Sequence, residues 1–485
     1  MSTILRRLPP SEATGLRTGA RHRLAQLYGP SDLVVLGLGV TIGAGIFSIA
    51  GVEAATEAGP GVLISFMIAG IASLLAALCY AELSSTLPNS GSAYTFTYVI
   101  FGEVWAWIIG WALILEMLLA AAVLAQAWGL FAARALAGLG AEVTGAAEWF
   151  ALGILVLLTT VVAIGTRIGL RMLWLMVGAK LLIIGAVITV GAFHVDVANF
   201  GDFLVAPRPS PVPPDTVLET VLGHTQQFGW FGVFAAASVI AFAYIGFDVV
   251  ATAAEETVDA PKAMPKGMIR GLVIVTVLYL GVAIVMIGMV PYQKIDVAAP
   301  LSGAFDEVGE HWMVHVIDLG AVIGLTSVLT VLVVGLTRVL FAISRDGLLP
   351  PGLARISRRF DAPTLTTVVI GGCAALLSRF APVLTLQELV VLGALFSYLF
   401  VAAGVVVMRR RMPDLDRGFR VPLSPLLPAL SVLATLWLMM SLQVRTWAWF
   451  GLWMAVGLLA YLWYGRTHSL LAVRPVKQGR GRHRR

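Results

Sequence analysis

Apolar residues along this chain gather into runs of roughly 18 to 28, set apart by short polar, charged or proline-rich stretches. About 20 apolar residues at the helical rise cross the hydrocarbon of a bilayer. The pattern therefore predicts an all-α polytopic membrane protein with about twelve transmembrane helices. Their positions are roughly 31–57, 60–87, 103–134, 148–166, 170–193, 228–255, 268–290, 314–343, 363–379, 385–409, 423–443 and 446–466. With the amino terminus inside, residues 1–28 are a cytoplasmic segment with a short amphipathic piece on the inner leaflet, and 29–193 hold spans 1 to 5. Residues 194–227 form an outer loop whose PRPSPVPPD is expected to lack regular structure. Residues 228–409 hold spans 6 to 10, 410–466 a cytoplasmic loop and spans 11 and 12, and 467–485 a basic cytoplasmic tail.

Two spans break this pattern from within. The first holds GLGVTIGAGIF, with four glycines in eleven residues, and the sixth holds VIAFAYIGFDVV, with Gly246, Tyr244 and Asp248 near its middle. Gly39 and Gly43 also make a GxxxG, which suits close helix packing. The two breaks, however, occupy matching places in two sets of five spans. That is the sequence signature of a transporter site built from an inverted repeat, in which five spans recur upside down. At 1.5 Å per residue, Gly43 lies about 16 Å from Asp32 and Gly246 about 14 Å from Glu255. Both breaks are thus placed near the midplane of a core roughly 30 Å thick, where unwound backbone needs protein or ligand partners.

Composition agrees with a membrane class: 59% of 485 residues are hydrophobic and 12% charged. The net charge of +6 excludes less than its distribution does. Arg134, Arg208, Lys294, Arg379 and Arg445 fall on one predicted side, and the other Lys and Arg on or near the opposite side, which marks the cytoplasm. The basic tail KQGRGRHRR then reads as a topology and lipid-headgroup feature, with membrane lipid and not nucleic acid as its partner. No HExxH, GxSxG or Walker stretch points to an enzyme, and no metal or cofactor is expected.

A helix that stops near Ile42 and restarts near Ala44 presents the N–H groups of Ala44, Gly45 and Ile46 at a positive dipole end, which suits a carboxylate. Carbonyls near Ile42, Phe242, Ala243 and Ile245 suit an ammonium group. Together the two ends describe an α-amino acid. Lys180, ten residues from Leu170 and so about 15 Å deep, is too central to snorkel. An intramembrane lysine is a functional candidate, here for releasing and rebinding a proton. Glu116, midway along span 3, either lines the pocket or pairs with another polar group. Glu82 and Asp248 suit gates or structural ion pairs equally, Asp318 a gate or a solvated site, and Arg338 and Arg345 topology anchors.

The stretches GLGVTIGAGIF, ALCYAELSSTLPNSGSAYTFTYVIFGE, IIGWALILE, IAFAYIGFDVVATAAEE and TRVLFAISRDGLLP, in this order, resemble the amino acid, polyamine and organocation transporters. Within them the chain is similar to bacterial relatives of the cationic amino acid transporter family, from about residue 28 to 440. The resemblance implies the five-plus-five, LeuT-like inverted-repeat fold, alternating access and amino-acid transport, with helices 11 and 12 outside the repeat. It makes Ala44, Gly45 and Ile46 carboxylate donors beside Gly43. It makes Ile42, Phe242, Ala243 and Ile245 ammonium acceptors, with the Phe242 ring as a gate. Lys180 matches a lysine that, in proton-coupled members, occupies the place of a sodium ion, tying span 5 to the span 1 break. Leu325 falls where a small residue in related proteins makes room for a cationic side chain. A leucine there is expected to favour small or medium neutral amino acids such as alanine, with proton symport. Cationic substrates, obligate exchange and a non-transporting sensor stand as alternatives. The expected partners are a small amino acid, a proton and lipid; the sequence is silent on accessory subunits.

Overall fold

The computed structural model describes residues 6–10, 26–43, 45–137, 145–164, 167–209, 216–222, 226–297, 299–357, 359–360, 362–380 and 383–473. The expected amphipathic piece falls largely outside the described residues, as do Ala44, SPVPPD and the KQGRGRHRR tail.

Among the described residues, nine helices are long and apolar enough to cross a membrane, accompanied by three shorter apolar helices. The short ones are α1 (Pro30–Thr41), Thr364–Phe380 and Leu426–Met440. The first apolar run does not continue as one helix, because α1 ends at Thr41 and α2 (Gly45–Glu53) follows three residues later. A π turn at Ala54–Ala58 and Gly59-Pro60-Gly61 then lead into α3 (Val62–Thr86). Gly59 takes φ +58°, which a side chain would strain. A short helix that the apolar pattern did not foresee, α4 (Ala93–Ile100), precedes α5 (Glu103–Ala137). Then come α6 (Ala146–Ile164) and α7 (Arg167–Ala192).

The loop after α7 corrects one expectation: it is not free of regular structure. Arg208–Pro209 pairs antiparallel with Gln226–Gln227, and α8 (Val217–Leu222) lies between them. Proline is tolerated there because the strand pair is short and has free edges.

The sixth predicted span is again divided, into α9 (Gly229–Tyr244) and α10 (Phe247–Val250), with a 3-10 turn at Ala251–Glu256. Next comes α11 (Ala260–Met289), eight residues earlier than its apolar run suggested, because Pro261 suits the first turn and Asp259 turns the chain at φ +50°. A short α12 (Pro300–Glu307) leads to α13 (His311–Arg345). The rest are α14 (Thr364–Phe380), α15 (Val383–Arg411), α16 (Leu426–Met440) and α17 (Val444–Ala460).

α13 and α15 pack along α5, and α11 packs across α3 and α1. The divided helices α1–α2 and α9–α10 are thereby enclosed, while Leu175, Leu182, Leu376 and Trp463 remain exposed on the outer faces. Apolar outside and polar atoms bonded inside is the arrangement hydrocarbon requires.

Candidate functional site

The two breaks face each other. Ile42 leaves the helical region at φ −77°, ψ 93°, and its N–H still bonds the Leu38 carbonyl. Ile245 turns extended at φ −63°, ψ 141°, and Gly246 follows at φ +121°, a conformation that L side chains rarely adopt. A methyl on Gly45 would lie 2.6 Å from the Ala243 Cβ and 3.0 Å from its Cα, so the second half of the first broken helix rests on the first half of the other. The same test separates the two glycines of the GxxxG. Gly39 packs on α7, where a methyl would come 2.9 Å from Leu173, whereas Gly43 has only an ordinary 3.4 Å contact with Val328.

Tyr279 of α11 spans both breaks. Its hydroxyl lies 2.7 Å from the Thr41 carbonyl and 3.0 Å from the Ala243 carbonyl. These carbonyls lie at or near the ends of their half-helices, where no intrahelical donor reaches them.

Between the breaks lies a cavity of about 30 Å³, space for about two waters. Thr41, Gly43, Gly45, Phe242, Ala243, Ile245 and Gly246 supply its backbone-rich side. Val40, Ala120, Leu124, Val328, Leu332 and Val390 supply an apolar wall. Ile42 and Ile46 are fully buried beside it. Leu325 does not border the cavity; it lies one turn before Val328 on α13 and is fully buried. Ala44 is outside the described residues, and nothing is assigned to its N–H.

Lys180 is fully buried, and its Nζ makes three hydrogen bonds: to the Gly39 carbonyl at 3.0 Å, the Ile42 carbonyl at 2.9 Å and Ser327 Oγ at 2.9 Å. All three donors of an ammonium are used. One side chain thus ties α7, α13 and the end of α1, and Ser327 Oγ lies a further 2.9 Å from the Gly39 carbonyl. A neutral amine has two N–H groups and cannot donate to all three.

Glu116 also does not border the cavity. It is buried, and its Oε2 has no hydrogen-bond partner. Asp248 Oδ1 accepts from the Gly246 N–H and the Tyr398 hydroxyl, each at 3.2 Å. Glu82 is held in an ion pair: Arg409 Nε donates to it at 2.8 Å and Nη2 at 2.5 Å, and the Val421 N–H at 2.7 Å. Asp318 is buried near the amino-terminal end of α13, with Arg134 as a neighbouring charge. Arg338 and Arg345, expected as anchors, instead take part in ion pairs. Arg338 Nε lies 2.7 Å from Glu256 and its Nη2 3.1 Å from the Tyr28 hydroxyl, while Arg345 meets Glu255 at 3.1 Å. An arginine near a helix end resembles an anchor until tertiary packing supplies its carboxylate.

Tyr279, Ser327, Val328 and Leu332 went unnoticed in the sequence. Tyr279 carried the only usable signal, a tyrosine midway along an apolar run; Val328 and Leu332 are indistinguishable from core residues.

Known proteins resemble this chain over most of its length. An amino acid permease family model matches residues 28–463. A methylthioribose transporter of Bacillus subtilis is 38% identical over 483 residues, covering 97% of this chain and 100% of the relative. The branched-chain amino acid permease BcaP of the same organism is 38% identical over 469 residues, 94% of this chain and 96% of the relative. A vacuolar cationic amino acid transporter 4 of Arabidopsis thaliana is 32% identical over 429 residues, 85% and 68% of the two chains.

Proposed function

The chain belongs to the amino acid permease family, and on that premise we propose that it carries neutral amino acids with small to medium apolar side chains across the cell membrane. It is a multi-pass membrane transporter and not an enzyme. The observation that carries the proposal is the cavity where the two breaks meet, with backbone groups on one side and Val328, Leu332, Val390, Ala120 and Leu124 on the other. The backbone side suits an ammonium and a carboxylate; the apolar wall suits an uncharged side chain. No carboxylate borders the cavity among the described residues, which weighs against a cationic side chain. A sugar derivative such as methylthioribose has neither charged end and would leave the half-helix termini unmatched.

In this reading the protein has twelve crossings in a five-plus-five inverted repeat with both termini cytoplasmic, and works by alternating access. Gly45 and Ile46 receive the carboxylate, the carbonyls of Ile42, Phe242, Ala243 and Ile245 receive the ammonium, and the Phe242 ring covers the substrate. A proton on Lys180 holds α1 to α7 and α13; its loss frees one of three hydrogen bonds and loosens the end of α1.

Uptake of labelled leucine and alanine into proteoliposomes tests this, with an acid exterior compared against symmetrical pH. Accumulation only under the gradient, inhibited by excess leucine and not by arginine or methylthioribose, is expected. Uptake that needs preloaded amino acid would replace symport by exchange. No amino-acid uptake in either condition would overturn the reading.

A further inference from the structure

Lys180 is covered from two directions, and the two covers belong to different halves of the first broken helix. On α7 it stands in a buried stripe of Leu173, Val177, Lys180, Ile184 and Val187, at the spacing of one helix face. Towards the amino end of that stripe the cover is α1: a methyl on Gly39 would lie 2.9 Å from the Leu173 side chain and 3.4 Å from that of Val177. Towards the carboxy end it is α2. A methyl on Gly324 of α13 would lie 3.9 Å from Lys180 Cδ and 4.0 Å from Phe47 Cε2, so the lysine stem and the Phe47 ring border the same point. Gly324 stands one turn before Ser327, the hydroxyl that bonds the amine. Phe47 is itself buried, and its ring meets Phe131 of α5 edge-on, with centroids 6.3 Å apart. One turn further along, a methyl on Gly320 would lie 2.7 Å from Ile183, which closes α13 on α7 beside the ring.

None of the residues in these two covers is titratable, and the amine spends its three donors on uncharged oxygens. A proton can leave or reach Nζ only where water reaches it, and close apolar contact leaves no room for water. The covers are therefore seals. α1 ends at Thr41 and α2 begins at Gly45, so Gly39 and Phe47 stand on opposite sides of the break that borders the cavity. Each half-helix can lift its own seal while the other stays closed.

We propose that Phe47 is a positioning residue for proton transfer: carried by α2, its ring seals Lys180 on the Gly324 side, while Gly39 on Leu173 seals the other. Lifting the two in turn admits a proton from one face of the membrane and releases it at the other. The substrate break is the hinge between the seals, so a substrate that fixes the break also fixes which seal is open. The proton part of this inference rests on the transport reading; the cover over Lys180 does not.

Two measurements keep these apart. Reductive methylation with formaldehyde and a borane, followed by peptide mass spectrometry, reads the access of each lysine amine in the reconstituted protein without substrate. Lys262, Lys266 and Lys294 are exposed and serve as internal standards. Lys180 is expected to stay unmodified in wild type and in Phe47→Leu, which keeps apolar bulk. In Phe47→Ala it should react at least about tenfold faster, as a group does when it no longer waits for a rare local opening. Phe96→Ala removes a comparably buried ring that lies against Tyr80, and should leave Lys180 protected. If Phe47→Ala does not fold, Phe131→Ala, which takes away the support of the ring, decides in its place. Protection as in wild type in the deciding variant would overturn the seal, and so would equal exposure in Phe96→Ala. Proton entry into vesicles holding a trapped pH dye, with an inward gradient and no amino acid, then tests the coupling. Faster entry in Phe47→Ala than in wild type and Phe47→Leu supports it, and equal entry in all three overturns it. A wild type that carries no leucine would count against transport, leaving the methylation comparison to decide the seal.

Discussion

The hydroxyl of Tyr279 lies 2.7 Å from the carbonyl of Thr41, and the same oxygen lies 3.0 Å from the Ala243 carbonyl. A single hydroxyl proton can serve one of these acceptors at a time. The side chain therefore links the ends of both broken helices and can shift between them when the breaks move apart.

Removing that hydroxyl with Tyr279→Phe leaves the ring and its edge contacts to Phe66 and Tyr244 in place. A hydrogen bond is worth about 1 kcal/mol net, so leucine affinity is expected to fall roughly fivefold. Titration calorimetry on the detergent-solubilised variant reads this directly. Unchanged affinity together with a lowered unfolding temperature would make Tyr279 a purely structural tie.

Lys180→Met keeps much of the length and apolar bulk of the lysine stem but removes all three donors from the Gly39 carbonyl, Ile42 carbonyl and Ser327. Ser327 can still serve Gly39, while the Ile42 carbonyl loses a buried partner at a cost of about 1–3 kcal/mol. The variant is expected to lose accumulation driven by a proton gradient. Accumulation at the wild-type level under the same gradient would remove Lys180 from the coupling mechanism.

The glycines of the first break are expected to differ in tolerance. Gly45→Ala would place a methyl 2.6 Å from Ala243, on backbone that cannot move without shifting α9, whereas Gly43→Ala meets only the flexible edge of Val328 at 3.4 Å. Leucine binding should therefore fall at least about tenfold in Gly45→Ala, the equivalent of about 1.4 kcal/mol, and change little in Gly43→Ala. The reverse order in a binding assay would mean that the breaks do not meet through Gly45.

What the sequence revealed, and what it hid, follows from which residues violate local rules. Clustered glycines in a spanning run and a lysine in the middle of an apolar run conflict with their surroundings, so the breaks and the burial of Lys180 are legible in the order of the residues alone. The division of the chain at Thr41 and at Tyr244 appears where the glycines stand. Ser327 and Val328 violate nothing: serine and valine are ordinary in membrane helices, and only the approach of α13 to α1 gives them neighbours. Leu325 shows the limit of position by analogy. A helix face can be inferred from spacing, but the turn at which the cavity begins depends on where Gly43 stops α1.

That one-turn difference gives a selectivity prediction. Val328 and Leu332 border the cavity and Leu325 does not. Val328→Ala should therefore widen substrate choice toward larger apolar amino acids such as phenylalanine, measured as competition against labelled leucine. One to three kcal/mol is the usual worth of a methyl-sized change in such a pocket, so a shift of roughly tenfold in relative inhibition is expected. Leu325→Ser should alter competition less. A larger change in Leu325→Ser than in Val328→Ala would move the side-chain pocket one turn along α13.

Below the cavity, the N–H groups of Leu27 and Tyr28 both reach the Glu256 carbonyl, at 2.8 and 3.1 Å, and the Glu256 carboxylate meets Arg338 at 2.7 Å. The start of α1, the end of the α10 region and α13 are thus closed by one buried ion pair. Breaking it from one side leaves an unpaired buried charge, which costs about 3–5 kcal/mol, whereas removing both partners leaves none. Arg338→Met should therefore open this end and destabilise the protein, and Arg338→Met with Glu256→Gln should recover stability without restoring closure. Thermal unfolding measures the first effect. Labelling of a cysteine placed at Val40, tested with a membrane-impermeant reagent from each side, measures the second. Faster labelling from the inner side alone in both variants is the expected result, and labelling at the wild-type rate in both would show that the pair holds the helices without gating the cavity.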